Sequence, residues 1–182
     1  FTDNVINVAM PSTYHFLEKV IDEIVQMYQD AGVELTAFHV GGDEVPEGIW
    51  EGSSICRTFM KKHGLTKIRD LKDYFLGQIL EMLDKRNIQA VGWQDIVMNP
   101  DNTVNEHFRN SKVLNYCWNT IPEQGGDEVP YKLANAGYPI ILCNVGNFYL
   151  DMAYCYHVEE PGLRWGGYVD EYVTFDMLPV SY

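Results

Sequence analysis

Basic residues are scarce in this chain: Lys+Arg number 13 against 26 Asp+Glu in 182 residues, a formal net charge of −13. That balance repels phosphate backbones and sets nucleic acid aside as a partner. Long apolar runs are missing as well. No stretch reaches the roughly 18 uninterrupted apolar residues of a membrane helix, so no segment is expected to span a bilayer. The four cysteines, Cys56, Cys117, Cys143 and Cys155, form no Cys-x-x-Cys pair. In a chain this long they read as buried thiols rather than as a disulfide framework or a zinc site. No asparagine opens an Asn-x-Ser/Thr acceptor, which leans away from a heavily glycosylated eukaryotic secreted protein. Phe1-Thr2-Asp3 is neither a methionine start nor a targeting peptide, so any such peptide is expected outside this sequence.

What is present is an ordinary globular composition, 46% hydrophobic and 21% charged, which excludes disorder. Residues 1–182 are expected to form a single segment with a real core, without linker or second domain. Ser12 or Thr13 is expected to cap a first helix in which Phe16, Leu17, Val20, Ile21, Ile24, Val25 and Tyr28 recur at helical spacing. That helix should stop at Ala31-Gly32. Leu35–Val40 reads as a short buried strand running into Gly41-Gly42. A second helix is expected over Ile68–Lys85, followed by strands at Ile88–Trp93, Lys112–Trp118 and Tyr138–Val145. A helix around Val129–Ala136 precedes the last of these, and a long aromatic loop runs on from Tyr149. Helices alternating with short apolar strands predict an α/β fold with a parallel sheet and crossover helices. Candidate functional residues follow the strands, as at the active face of a (β/α)8 barrel, although a doubly wound sheet also places ligands there. Four strands in 182 residues, against about 250 residues for a whole barrel, predict a partial (β/α)8 barrel.

Gly-Gly-Asp-Glu-Val-Pro occurs twice, at Gly41–Pro46 and Gly125–Pro130. The flanks differ, so this is no internal duplication. The first copy leaves a strand, where glycines allow a sharp turn that holds two carboxylates at the end of the sheet. The second precedes a helix, where Asp127 and Glu128 offset the helix dipole and Pro130 suits the first turn. Chemistry is therefore expected at Asp43 and Glu44. Adjacent carboxylates repel when both ionise, which favours one staying protonated and able to donate to a leaving group. Residues i and i+1 are poorly placed to flank a bond from opposite sides. The pair better fits one acid and one group that orients a nucleophile belonging to the substrate. His39 reads as a buried strand residue satisfied by hydrogen bonds. A metal-dependent hydrolase using His39 and Asp43 lacks a third ligand at a fitting position.

The segment His39-Val-Gly-Gly-Asp-Glu44 resembles the signature of family 20 glycoside hydrolases, the β-N-acetylhexosaminidases. Further pieces fall in that family's order: Gly92-Trp93-Gln94-Asp95, Tyr116-Cys117-Trp118, Tyr149-Leu150-Asp151, and Glu160-Pro161-Gly162 followed by Trp165. The resemblance implies a retaining, substrate-assisted hydrolysis of terminal N-acetyl-β-hexosamine residues through an oxazolinium intermediate. It implies Glu44 as general acid and base, and Asp43 and Tyr149 as groups that hold the acetamido function. Trp93 and Trp118 would wall the acetamido pocket, with Asp151 on sugar hydroxyls and Trp165 near the sugar. The implied partner is an N-acetylhexosamine-containing glycan, with neither cofactor nor metal, in a secreted, periplasmic or cell-surface setting of bacterial type. A non-catalytic, sugar-binding remnant is the alternative, against which the intact Asp43-Glu44 pair argues. Asp95 stands where the family more often has glutamate. The family's sugar-binding arginine and aspartate of earlier strands, and its final-strand tryptophan and glutamate, have no counterpart here. A homo-oligomer that covers exposed sheet edges is compatible with the sequence.

Overall fold

The computed structural model describes residues 5–46, 48–111 and 113–178. The chain divides into two compact units, residues 1–91 and 92–182. Its elements follow the order α1 (Pro11–Asp30), β1 (Ala37–His39), α2 (Ser54–His63), α3 (Ile68–Asp84), β2 (Gln89–Trp93), β3 (Leu114–Cys117), α4 (Val129–Asn135), β4 (Ile140–Leu142), α5 (Val145–Phe148) and α6 (Glu171–Phe175). The strands lie in the order β1-β2-β3-β4. β1 pairs with β2 in parallel, setting His39 opposite Val91, and β3 pairs with β4 in parallel, setting Cys117 opposite Leu142. The fold is thus α/β with a parallel sheet, as the alternation predicted.

In the first unit, α1 begins earlier than its hydroxyl residues suggested. Pro11, with its fixed backbone angle, opens the helix after Met10. Thr13 lies inside the first turn and its Oγ1 donates to the Asn7 carbonyl at 2.6 Å. The helix ends at Ala31, followed by Gly32 at φ 70°. α2 was not expected from periodicity, because only Cys56 on it is buried. Its end signals are nevertheless local: Ser53 Oγ accepts from Cys56 N at 3.3 Å, and Gly64 closes it at φ 66°. α3 starts where Asp70 accepts from the Thr66 and Lys67 amides, both at 2.8 Å. Two apolar clusters result. Val8, Ala9, Trp50, Cys56 and Leu71 form one, and Trp50 anchors its loop by donating from Nε1 to the Ile6 carbonyl at 3.2 Å. Ile21, Ile79, Leu83, Ile88 and Ala90 form the other, against which Phe38 of β1 packs. Arg86 ties α1 to the end of α3 through Asp22 at 2.6 Å and Glu18 at 3.4 Å.

β1 corrects one expectation. It is not buried: Ala37 and His39 are exposed and only Phe38 is half-buried. Phe38 meets the apolar cluster of α1 and α3, and by two-residue alternation Ala37 and His39 lie on the opposite face of the sheet, where they stay exposed.

In the second unit the described residues that connect β2 to β3 form no α-helix. Short 3₁₀ turns at Gln94–Ile96 and Glu106–Ser111 and an isolated Met98–Val104 bridge take its place. Tyr138, Pro139 and Cys143–Val145 fall outside β4, and Lys112 lies outside the described residues. The loop after Tyr149 is more ordered than its lack of periodicity implied. Leu163 N donates to the Asp151 carbonyl at 2.7 Å, Ala153 N to Leu163 at 2.8 Å, and Val169 N to Ala153 at 3.0 Å. This stitching buries Val145, Met152 and Val169 together, with Tyr149 packed against them.

Candidate active site

The first hexapeptide begins where β1 ends. Val40 N still donates to the Val91 carbonyl at 2.8 Å, and the chain then turns through Gly41 at φ 69° and Gly42 at φ 98°. These angles favour glycine, since a Cβ would crowd the backbone there. Asp43 is half-buried and Glu44 is exposed. Glu44 is also left-handed, at φ 48°, which is uncommon for a non-glycine residue. The His39 Nδ1 accepts from Gly41 N at 3.1 Å, so the ring at the strand end is bonded to the turn after it. Partial burial of that ring pulls its pKa below the ordinary 6.5, and the charge of Asp43 partly offsets the effect. His39 is nonetheless exposed rather than buried, because it lies on the sheet face opposite Phe38 and the helices.

The other candidates lie in the second unit, where they assemble around two residues to which the sequence reading assigned no role. Trp93, the last residue of β2, is half-buried and meets Tyr116 of β3 edge-on, with centroids 6.0 Å apart. Directly after it, the buried Gln94 accepts through Oε1 from the Trp118 and Asn119 amides at 3.0 and 3.3 Å. Asp95 Oδ2 accepts from Trp118 Nε1 at 2.8 Å. Two consecutive side chains after β2 therefore hold both the backbone and the indole of Trp118 after β3. Trp118 meets Trp165 edge-on at 6.0 Å, and Trp165 meets Tyr149 in the same way at 6.0 Å. Such edge-to-face contacts align ring quadrupoles and fix ring planes. Trp165 stays 46% exposed, leaving apolar surface for a ligand. Gly166 lets it sit there: a Cβ on Gly166 would fall 2.4 Å from Val145 Cγ2 and 3.2 Å from Met152 Sδ. Asp151 is exposed on the loop, and only its backbone position is tied, through the Leu163 bond.

Beside this cluster lies a cavity of about 800 Å³, lined by Glu123, Asp127, Tyr131, Asn144, Asn147 and Trp165 among others. Trp93, Trp118, Tyr149 and Asp151 are not part of its wall. Asp127 and Glu128 of the second hexapeptide stand directly before α4, Pro130 is within its first turn, and Glu128 pairs with Lys132 at 2.9 Å. The cysteines separate by position. Burial pushes the Cys117 thiol up to about 12 and raises Cys143, whereas Cys155 is exposed, contrary to the expectation of four buried thiols. Among the described residues no cluster of three or more His, Cys, Asp or Glu could hold a metal ion. No helix among them is long and apolar enough to cross a membrane.

Residues 1–181 match the profile of the glycosyl hydrolase family 20 catalytic domain. The chain belongs to that family. Among its relatives are the beta-hexosaminidase of Vibrio vulnificus, 30% identical over 98% of this chain and 21% of that protein, and the beta-hexosaminidase of Vibrio furnissii, 31% identical over 92% and 24%. An inactive mutant of the family 20 exo beta-N-acetylglucosaminidase from Vibrio harveyi superposes with a TM-score of 0.80 at 28% identity, over 97% of this chain and 25% of that one. The chain thus spans about a quarter of the length of these relatives. With its parallel strands and these neighbours, the fold is a partial (β/α)8 barrel.

Proposed function

We propose that the protein hydrolyses terminal, non-reducing N-acetyl-β-hexosamine residues from glycans by a retaining, substrate-assisted route. The observation that carries this reading is the intact Asp43-Glu44 pair on a left-handed turn at the end of β1. Relatives named beta-hexosaminidase and N,N'-diacetylchitobiase support it. In the first step the carbonyl oxygen of the 2-acetamido group attacks the anomeric carbon. The bond to the leaving oxygen breaks as Glu44 gives that oxygen its proton, and an oxazolinium ion forms. In the second step the Glu44 carboxylate takes a proton from water, whose oxygen attacks the anomeric carbon and reopens the ring with net retention. Asp43 accepts from the acetamido N–H and offsets the charge that develops on it, and the Tyr149 hydroxyl donates to the carbonyl oxygen. Trp93 and Trp118 wall the acetamido methyl, Trp165 lies beside the sugar, and Asp151 binds sugar hydroxyls. Holding the internal nucleophile against its target raises its effective concentration, and fixed dipoles stabilise the developing charge. The bacterial relatives fit a glycan substrate met outside the cytoplasm.

Substitution of Glu44 by glutamine, in the protein at its full natural length, tests the reading. Turnover of methyl glycosides, which need protonation, should fall about 10²- to 10⁴-fold. Nitrophenyl glycosides, with a better leaving group, should lose less in the bond-breaking step, and inhibitor binding should persist. Equal loss on both substrates together with lost inhibitor binding overturns the acid role.

A further inference from the structure

We propose that His39 is a positioning residue, whose neutral imidazole fixes the Gly41-Gly42 turn by accepting the Gly41 N–H at Nδ1 and so sets where Asp43 and Glu44 stand. This rests on the function proposed above for the two carboxylates. The geometry is specific. His39 is the last residue of β1, held in register opposite Val91, while the next residue, Val40, is still bonded to that strand. Beyond Val40 the backbone passes through two left-handed glycines, a right-left-permissive pair with no side chain to restrain it, before reaching a left-handed Glu44. The 3.1 Å bond from Gly41 N to His39 Nδ1 spans that hinge and links the ordered strand to the turn.

An Nδ1 that accepts a hydrogen bond leaves the imidazole proton on Nε2. Protonating the ring turns Nδ1 into a donor, which faces the Gly41 N–H donor and breaks the tie. The charge of Asp43 acts on the His39 ring and favours its protonated form. The α1 and α3 faces packed on this strand present Ile21, Ile79 and Leu83, and β2 sets Val91 opposite it. The ring's pKa lies below 6.5 in the folded protein. The neutral, accepting state therefore persists at neutral pH and somewhat below, and is lost as pH falls through the folded value. The unfolded chain binds that proton first, so stability also declines as pH drops below 6.5. The turn thus carries an acid-sensitive element in the imidazole of His39.

The test compares His39→Asn, whose side-chain oxygen can accept a similar bond, with His39→Leu, which cannot, in the full-length protein. On N-acetylhexosaminide substrates at pH 7.5, His39→Leu should lose about three- to tenfold in kcat with KM within twofold, the effect of one partly exposed hydrogen bond. His39→Asn should stay within twofold of wild type there, and should lack the part of the wild-type acid decline that comes from protonating His39, which sets in below pH 6.5. A leucine variant as active as wild type, an asparagine variant no better than leucine, or an unchanged acid limb in the asparagine variant overturns the proposal. Hydrogen exchange followed by mass spectrometry over residues 38–44 of the wild-type protein decides it if the variants do not fold. Corrected for intrinsic rates, exchange should quicken as pH falls from 7.5 through the titration of the ring, which lies below 6.5, and protection unchanged across that titration overturns the proposal. If the wild-type protein cleaves no N-acetylhexosaminide, the functional reading fails, while the exchange measurement still judges the role of His39.

Discussion

The indole of Trp118 donates to the carboxylate of Asp95 at 2.8 Å, across 23 residues of sequence. Asp95 lies in the short 3₁₀ turn directly after β2, and from there its carboxylate reaches the indole. With Gln94 holding the Trp118 amide at 3.0 Å, the residues after β2 determine how the tryptophan after β3 is presented. A charge-assisted bond to a half-buried carboxylate contributes about 1.5 kcal/mol, at the low end of its range because solvent reaches it. Replacing Asp95 with alanine should therefore lower kcat/KM about tenfold and change Trp118 fluorescence, whereas Asp95→Glu should keep most activity. Full activity in the alanine variant would show that the indole is held by its ring contacts alone.

A stable thiazoline analogue of the cyclised acetamido group should bind at least about 100-fold more tightly than N-acetylglucosamine, because it engages contacts completed only in the transition state. Tyr149→Phe removes the hydroxyl while leaving the ring against Trp165. It should weaken the thiazoline more than the free sugar. Calorimetry that finds equal affinities for the two ligands would exclude substrate assistance.

Gly166 sits where any side chain collides with Val145 and Met152, both buried. Gly166→Ala should destabilise the protein by about 1–3 kcal/mol through overpacking. It should also disturb the Trp118–Trp165–Tyr149 ring series, so activity at a permissive temperature should fall as well. Gly167, with nothing within 4 Å of a Cβ but a φ of 107°, should respond to alanine through backbone strain instead. Thermal melts and activity on the two variants separate these causes.

Asp70 accepts the Thr66 and Lys67 amides at the start of α3, and the Lys67 amide bond leads the effects that hold its carboxyl below the ordinary 3.8. Because the folded pKa is depressed, this stabilisation is present above pH 3.8 and is lost as pH falls through the folded value. Asp70→Ala should cost about 0.5–1 kcal/mol at pH 7, the modest value of a largely solvated cap. The difference from wild type in denaturant melts should shrink below pH 3.8. A gap independent of pH would mean that the charge is not what caps the helix.

The amino-acid order alone determined the α/β alternation, the C-terminal end of α1, the start of α3 and of α4, and the paired carboxylates after β1. Each of these depends on neighbours a few residues apart: apolar spacing along one helix face, glycines that reach left-handed angles, a proline that opens a helix. α2 was legible in principle from Ser53 and Gly64, but its single buried residue left no periodic signal to read. Tertiary structure alone decided the rest. That Ala37 and His39 stay exposed, on the sheet face opposite the α1 and α3 cluster, depends on which elements pack against β1, and no local pattern encodes that. Asp95 gained its role only when packing brought Trp118 to it, and Trp165 met both Trp118 and Tyr149 only once Gly166 allowed the loop to close on Val145 and Met152. Backbone propensity acts within a turn or two of chain. Side-chain contacts between distant segments exist only after burial of the apolar clusters has set those segments side by side.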